Sequence, residues 1–425
     1  MKIEALIKSL KSKFVKNVST MLAGNIVAQA VTLLAAPVIT RLYLPDDFGI
    51  MAFIQSVGSV FAIIACLRYR YAILLPKEEK GYNLFALSIF LSFTFSILLV
   101  FLVLLFKEII AEKCGFPSRE NYLFFLPCIV FITSGRDALS FLFTRFKNFK
   151  IISISRISLS VVNSITKIGA GFLLSASAFW LLFGNLMGVL APVLLFLIFL
   201  KEKLPEITKN ISIANLRQSA YEYRKFPKYN MPTEFINSIS QNLPIILFSY
   251  LFSQKIVGFY GLANMVLRGP VNIMSESISK VFLQKLSEMK NHGSNLYNNL
   301  QKTTLGLAVI GIIPFAVLTI AGKQIFGFVF GQEWSEAGLY AQVLAPWLFL
   351  AFIASPANQI YIVLQKLKFK LHFNIINIAL KVSAIILGYL LFKTPVSAVT
   401  FFSITGVIMH VYYISYAFNL AKKSY

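Results

Sequence analysis

Apolar residues dominate twelve stretches of the chain, at about 18–40, 48–75, 82–106, 120–144, 151–174, 178–200, 231–252, 256–282, 298–322, 337–363, 369–392 and 396–420. Short polar turns such as Pro76-Lys77-Glu78-Glu79-Lys80-Gly81 separate them. About 20 helical residues cross the roughly 30 Å hydrocarbon layer of a bilayer, and each stretch is at least that long. The pattern predicts an all-α polytopic membrane protein with about twelve transmembrane helices.

Two segments depart from the pattern. Residues 1–17 set Ile3, Leu6, Ile7, Leu10 and Phe14 at helical spacing opposite Lys2, Lys8, Lys13 and Lys16, as in an amphipathic helix lying in the membrane interface. Residues 201–230 carry seven Lys/Arg, with Leu204, Ile207, Ile211 and Leu216 recurring as on a surface helix, and read as an amphipathic cytoplasmic linker. The linker divides the spans into an N-lobe of six helices at 18–200 and a C-lobe of six at 231–425. A weak internal repeat fits this division. Leu34-Ala35-Ala36-Pro37 leads through an external turn to Phe48-Gly49, as Gln241-Asn242-Leu243-Pro244 leads through another to Val257-Gly258. An even number of spans per half makes the copies parallel, related by a pseudo-two-fold axis along the membrane normal, and substrate sites in such folds lie between the halves.

Composition agrees with the hydropathy. Of the 425 residues, 57% are hydrophobic and only 13% charged, where soluble domains carry about 25% charged residues. The 40 Lys+Arg against 17 Asp+Glu would suggest nucleic acid in a soluble protein. Position argues otherwise: with a cytoplasmic N-terminus, inside segments hold about 25 Lys/Arg and outside loops about 6, the asymmetry of the positive-inside rule. Twelve spans place both termini in the cytoplasm, and the basic excess faces the anionic inner leaflet. Cys66, Cys114 and Cys128 have no metal-ligand spacing, so neither a disulfide framework nor a metal site is expected. A cleavable signal is not expected either, because apolar residues continue past Ala28-Gln29-Ala30 to Ile39.

Candidate chemistry lies inside the spans. Nine basic side chains fall within them or at their ends: Arg68, Arg70, Arg119, Arg136, Arg156, Lys167, Arg268, Lys280 and Lys381. At roughly 2.5 to 3.5 kcal/mol per charge, five or six facing lipid would cost on the order of 15 kcal/mol, so they must face protein or water. Helical spacing groups them with polar neighbours: Ser153, Arg156, Ser160, Asn163 and Lys167 on the fifth span, and Asn264, Arg268, Asn272, Ser275 and Ser279 on the eighth. The fourth span carries Thr133, Arg136, Ser140 and Thr144, and the eleventh Asn374, Asn377 and Lys381. The acids at this depth are Asp137, Glu276 and Glu234. Local ion pairs are one account of Arg136, beside Asp137, and of Lys280, four residues from Glu276. Snorkelling is the simple account of Arg68 and Arg70. Arg156, Lys167, Arg268 and Lys381 have no acid within a helical turn of their own helix, which favours a water-filled cavity for an anionic ligand. They are the leading substrate contacts, with Arg136 and Lys280 next and Asn25, Gln29, Asn163, Asn264 and Asn272 as lining residues. Guanidinium forks suit phosphate, and amides and hydroxyls suit sugars, although nucleotides or acidic metabolites would also fit.

The first external loop, Arg41-Leu42-Tyr43-Leu44-Pro45-Asp46-Asp47-Phe48-Gly49, with Gly24-Asn25 upstream, resembles the opening of the O-antigen type polysaccharide flippases of the multidrug/oligosaccharidyl-lipid/polysaccharide exporter superfamily. Length, span layout and cationic interior are similar along essentially the whole chain. The resemblance implies two six-helix lobes, alternating access, and an undecaprenyl-diphosphate-linked oligosaccharide as cargo. It also implies the bacterial cytoplasmic (inner) membrane and a place beside other glycan-assembly membrane proteins, in O-antigen, lipopolysaccharide or related synthesis. Arg41, Pro45, Asp46 and Gly49 would then shape an outer gate.

Two other classes stay open. A cation-coupled small-molecule exporter could share the fold, but an organic cation would call for carboxylates or aromatics in the cavity. A membrane glycosyltransferase or glycan polymerase could use Asp46-Asp47 as base or metal ligands, but a tight Pro-led turn suits helix capping better. His292, His372 and His410 join no Ser/His/Asp grouping, and there is no Walker pattern. No catalytic residue and no cofactor are expected.

Overall fold

The computed structural model describes residues 2–76, 78–209, 211–291 and 296–423, without the side chains of 2–18, 78–79, 276–278, 280–281, 283–285, 287–291 and 367. These residues form helices and turns, with no strand among them. They divide into two compact units, Met1–Tyr250 and Leu251–Tyr425.

Unit 1 contains α1 (Lys2–Leu42), α2 (Pro45–Ala65), α3 (Glu78–Lys113), α4 (Phe125–Arg145), α5 (Phe149–Leu173) and α6 (Ala178–Leu200). The short α7 (Leu204–Thr208) and α8 (Ile213–Glu222) follow, then α9 (Met231–Leu251), which ends at the unit boundary. Local chemistry sets the ends. Pro45 opens α2 where its missing N–H costs nothing, and Asp46 and Asp47 lie in the first turn, against the positive end of the helix dipole. Asn148 caps α5 by accepting from the Ile151 amide. The second apolar stretch, expected to 75, is helical only to Ala65: Leu67 and Arg68 both take left-handed φ, 45° and 64°, and a 3-10 turn covers Tyr69–Leu74. α5 packs on α1 and α6, and α4 on α2, α3 and α6.

Unit 2 contains α10 (Gln254–Asn291), α11 (Leu296–Phe330), α12 (Ser335–Ile353), α13 (Ser355–Val363), α14 (Leu367–Phe392) and α15 (Pro395–Lys423). α12 packs on α10, α11 and α15, and α14 on α15. Unit 2 has an aromatic core: Tyr361 stacks on Phe369 and Tyr416 and packs at a tilt against Tyr413, whose carbonyl accepts from the Tyr361 hydroxyl at 2.6 Å.

Ten helices among the described residues are long and apolar enough to cross a membrane. α9 and α10 fall where the seventh and eighth spans are expected, and they carry the polar residues Asn237, Gln241, Asn242, Asn264, Arg268 and Asn272. Large apolar side chains cover the outside of both units, with Leu105, Ile313 and Ile320 each more than two-thirds exposed. Such a surface would aggregate in water, and it matches the acyl chains of a bilayer. The apolar face expected for residues 1–17, and His292, lie outside the described residues and side chains.

Candidate functional site

In unit 1 the buried cations meet oxygen. Arg156, on α5, donates through Nη1 to Asn25 Oδ1 on α1. Along the same seam Thr32 Oγ1 donates to Ser160 Oγ at 3.3 Å and Ser153 Oγ to the Thr20 carbonyl at 3.0 Å. Much of the α5 stripe is thus spent on helix association, as interhelical polar contacts commonly are in membranes. Lys167 is 7% exposed, and its Nζ donates to Asn185 Oδ1 on α6 at 2.7 Å and lies 3.5 Å from Met51 Sδ. Asn163 donates to the same Asn185 oxygen at 2.9 Å. A Cβ at Gly184 would stand 2.6 Å from Lys167 Cγ, so the absence of a side chain there is what seats the lysine stem. The Tyr43 hydroxyl donates to the Lys167 carbonyl at 2.7 Å. Burial, with the nearby Asp47 adding to it, pushes that phenol up to about 12, which keeps it a donor.

The arginines nearer the α2 end share carboxylates. Asp137 accepts from Arg136 Nη2 at 2.6 Å through Oδ1, and its Oδ2 lies 2.8 Å from Arg70 Nη1. Arg68 donates to Asn230 Oδ1 at 3.0 Å, stands 3.5 Å from Glu234 and covers the Tyr71 ring at 4.0 Å. At the other end of α2, Asp47 accepts from Arg119 at 3.1 Å and from the Ala178 amide at 3.0 Å. That carboxylate ties the start of α6 to the α2 turn, a structural use of one member of the Asp46-Asp47 pair.

Unit 2 treats its cations differently. Arg268 on α10 and Lys381 on α14 both lie over Trp347 of α12, with Cζ 5.2 Å and Nζ 4.0 Å from the ring centroid. Lys381 also stands 5.1 Å from the Phe402 ring of α15. Among the described residues neither cation has a hydrogen-bond acceptor or a carboxylate. One helical turn before them, Asn264 Oδ1 and Asn377 Oδ1 are buried without a partner among the described residues, as is Arg268 Nε. The indole Nε1 lies 3.3 Å from His410 Nδ1, which is itself 2.8 Å from the Gly406 carbonyl. One ring nitrogen serves only one of these contacts at a time, depending on its tautomer.

Magnitudes separate the two arrangements. The two distances to Trp347 bound the separation of the cations at about 9 Å, where like charges repel by about 2 kcal/mol or more at an effective dielectric near 20. A cation–π contact returns about 0.5 to 2 kcal/mol. The indole therefore offsets the mutual repulsion and leaves the desolvation of each cation, several kcal/mol per ion, largely uncompensated. A multivalent anion would supply the missing term, and the orphaned Asn264 and Asn377 amides would meet polar groups attached to it.

The other expected contacts are placed as follows. Asn264 and Asn377 belong to the orphaned set, Asn272 is exposed and Gln29 is half-buried on α1. Lys280 lies outside the described side chains, as does Glu276. Of the gate residues, Arg41 is exposed, Asp46 half-buried, and Pro45 and Gly49 buried in the first turns of α2. Sequence reasoning missed Asn185 and Trp347. Asn185 sits alone in an apolar helix and Trp347 in an apolar run, so neither breaks the pattern.

The family model described as polysaccharide biosynthesis protein matches residues 38–339 of the chain. No curated protein matches the sequence. Among solved structures, the lipid II flippase MurJ in an inward closed conformation is similar with a TM-score of 0.69 at 15% identity, covering 96% of this chain and 90% of that one. An inward-facing multidrug resistance MATE family transporter of the MOP superfamily gives 0.63 at 13% identity, with 96% of each chain covered. The Vibrio cholerae MATE transporter VcmN gives 0.54 at 12% identity, with 98% of each covered. At these identities the likeness is one of fold.

Proposed function

This chain belongs to the polysaccharide biosynthesis protein family, and from that premise we propose that it is a flippase for an undecaprenyl-diphosphate-linked oligosaccharide, an O-antigen or related surface-polysaccharide unit. It works in the bacterial inner membrane with both termini cytoplasmic, admitting cargo from the inner leaflet and releasing it outside by alternating access. The observation that carries this reading is the pair of half-buried Arg268 and buried Lys381, which share the Trp347 ring without a counter-charge among the described residues. Such a pair suits the diphosphate of a lipid carrier. The half-buried Asn264 and Asn377 beside it suit hydroxyls of the glycan. Arg156, Lys167 and Arg136 are secondary contacts, available to cargo where Asn25, Asn185 and Asp137 exchange their bonds. The polar turn from Arg41 to Gly49 shapes the outer gate.

A cation exporter on this fold is the weaker reading, because Asp47 and Asp137 are already engaged by arginines. The test is export of surface glycan in cells whose only copy carries Arg268→Ala or Lys381→Ala. Loss of export with normal membrane abundance, and carrier-linked glycan accumulating at the inner leaflet, is expected; preserved export in both variants contradicts the site.

A further inference from the structure

Four helices of unit 2 meet on one indole. Trp347 is 3% exposed, its ring packs edge-on against Phe402 with centroids 5.0 Å apart, and Arg268 and Lys381 reach it from α10 and α14. It lies directly on the backbone of α15: a Cβ at Gly406 would stand 2.5 to 2.7 Å from three of its ring atoms. The ring is therefore held in place by its surroundings, whereas among the described residues the cations beside it have only aromatic faces, Trp347 for both and Phe402 also for Lys381.

We propose that Trp347 is a positioning residue that carries Arg268 and Lys381 in the cargo-free protein and releases both to a diphosphate when cargo enters. This deepens the flippase reading and rests on its assignment of the two cations. Three features support it. A π face is attractive without fixing a hydrogen-bond direction, so the guanidinium and ammonium keep their N–H donors for an incoming oxygen. A carboxylate in the same place would consume those donors and repel the anion. Both charges also stand within about 9 Å of each other through one shared ring, so a single ligand with two linked phosphates can draw on both, while one phosphate group satisfies them less completely. Arg268 Nε, buried and unpartnered among the described residues, is a donor left over for that purpose.

The full-length protein in lipid nanodiscs provides the test, with farnesyl diphosphate and inorganic orthophosphate as probes and tryptophan emission as the readout. Farnesyl diphosphate is expected to shift the emission of the wild type, orthophosphate to do so at least tenfold more weakly. The response should vanish both in Trp347→Phe, which lacks the reporter, and in the Arg268→Ala/Lys381→Ala double variant, which keeps it. For export, Trp347→Phe should retain most activity because a ring face remains, and Trp347→Leu should lose about tenfold. A double-mutant cycle separates positioning from structure: the cost of Trp347→Leu should disappear once both cations are alanine. Gly406→Ala, which displaces the indole and leaves every charge in place, should mimic Trp347→Leu if the latter fails to fold. Export that falls with Arg268→Ala and Lys381→Ala but is untouched by Trp347→Leu and Gly406→Ala would overturn the role of Trp347 and leave the flippase reading standing. Export indifferent to the two cations would overturn both.

Discussion

The two units solve the same electrostatic problem in opposite ways. In unit 1, Arg156, Lys167, Arg136 and Arg68 are each hydrogen-bonded to an amide or carboxylate oxygen, and Arg70 is ion-paired with Asp137 although its Nε and Nη1 make no hydrogen bond among the described residues. In unit 2, Arg268 and Lys381 have a tryptophan face instead. The difference teaches how to weigh an intramembrane charge. One that already has its oxygen is first a piece of architecture, and removing its partner strands a buried charge. One that rests on a π face has unused donors, and removing it should affect ligand binding before folding.

The largest expected effect breaks the comparison on the unit 1 side. Asp137→Ala leaves Arg70 and Arg136 without their shared carboxylate and should cost roughly 3 kcal/mol of stability, the low end for stripping one partner from a buried pair. Thermal denaturation in detergent and membrane abundance would register it. In unit 2, Arg268→Ala and Lys381→Ala should each lower cargo binding by roughly tenfold to a hundredfold, the worth of one charge-assisted hydrogen bond, with little change in melting temperature. Asn185→Ala should sharpen the contrast: Lys167 loses its only oxygen acceptor among the described residues, and about 1.5 to 3 kcal/mol of stability goes with it. The smallest effect is that of Arg268→Lys, which keeps the charge but not the fork and should reduce export by about threefold.

How far the sequence carries is visible at particular residues. Spans as apolar as 82–106 leave no soluble alternative, and helical spacing alone groups Arg156 with Lys167 and Arg268 with Asn264, because side chains three and four apart share a face. Spacing along one helix is silent about the facing helix. That is why four equivalent-looking cations separate only in three dimensions, where Asn25 and Asn185 reach two of them and Trp347 the other two. The same blindness hides the pairing of Asp137 with Arg70, which lie far apart in the chain. The early end of α2 was equally hidden, since Leu67 and Arg68 are not residues that announce a left-handed turn.

The central claim is that the cations over Trp347 receive an anionic lipid cargo. Its most direct test is native mass spectrometry of the purified protein with undecaprenyl diphosphate, comparing the wild type with Arg268→Ala/Lys381→Ala and with Asn185→Ala. Retention of lipid by the wild type and by folded Asn185→Ala, and its loss from the double variant, is the predicted result. Equal retention by the double variant and the wild type would contradict the account.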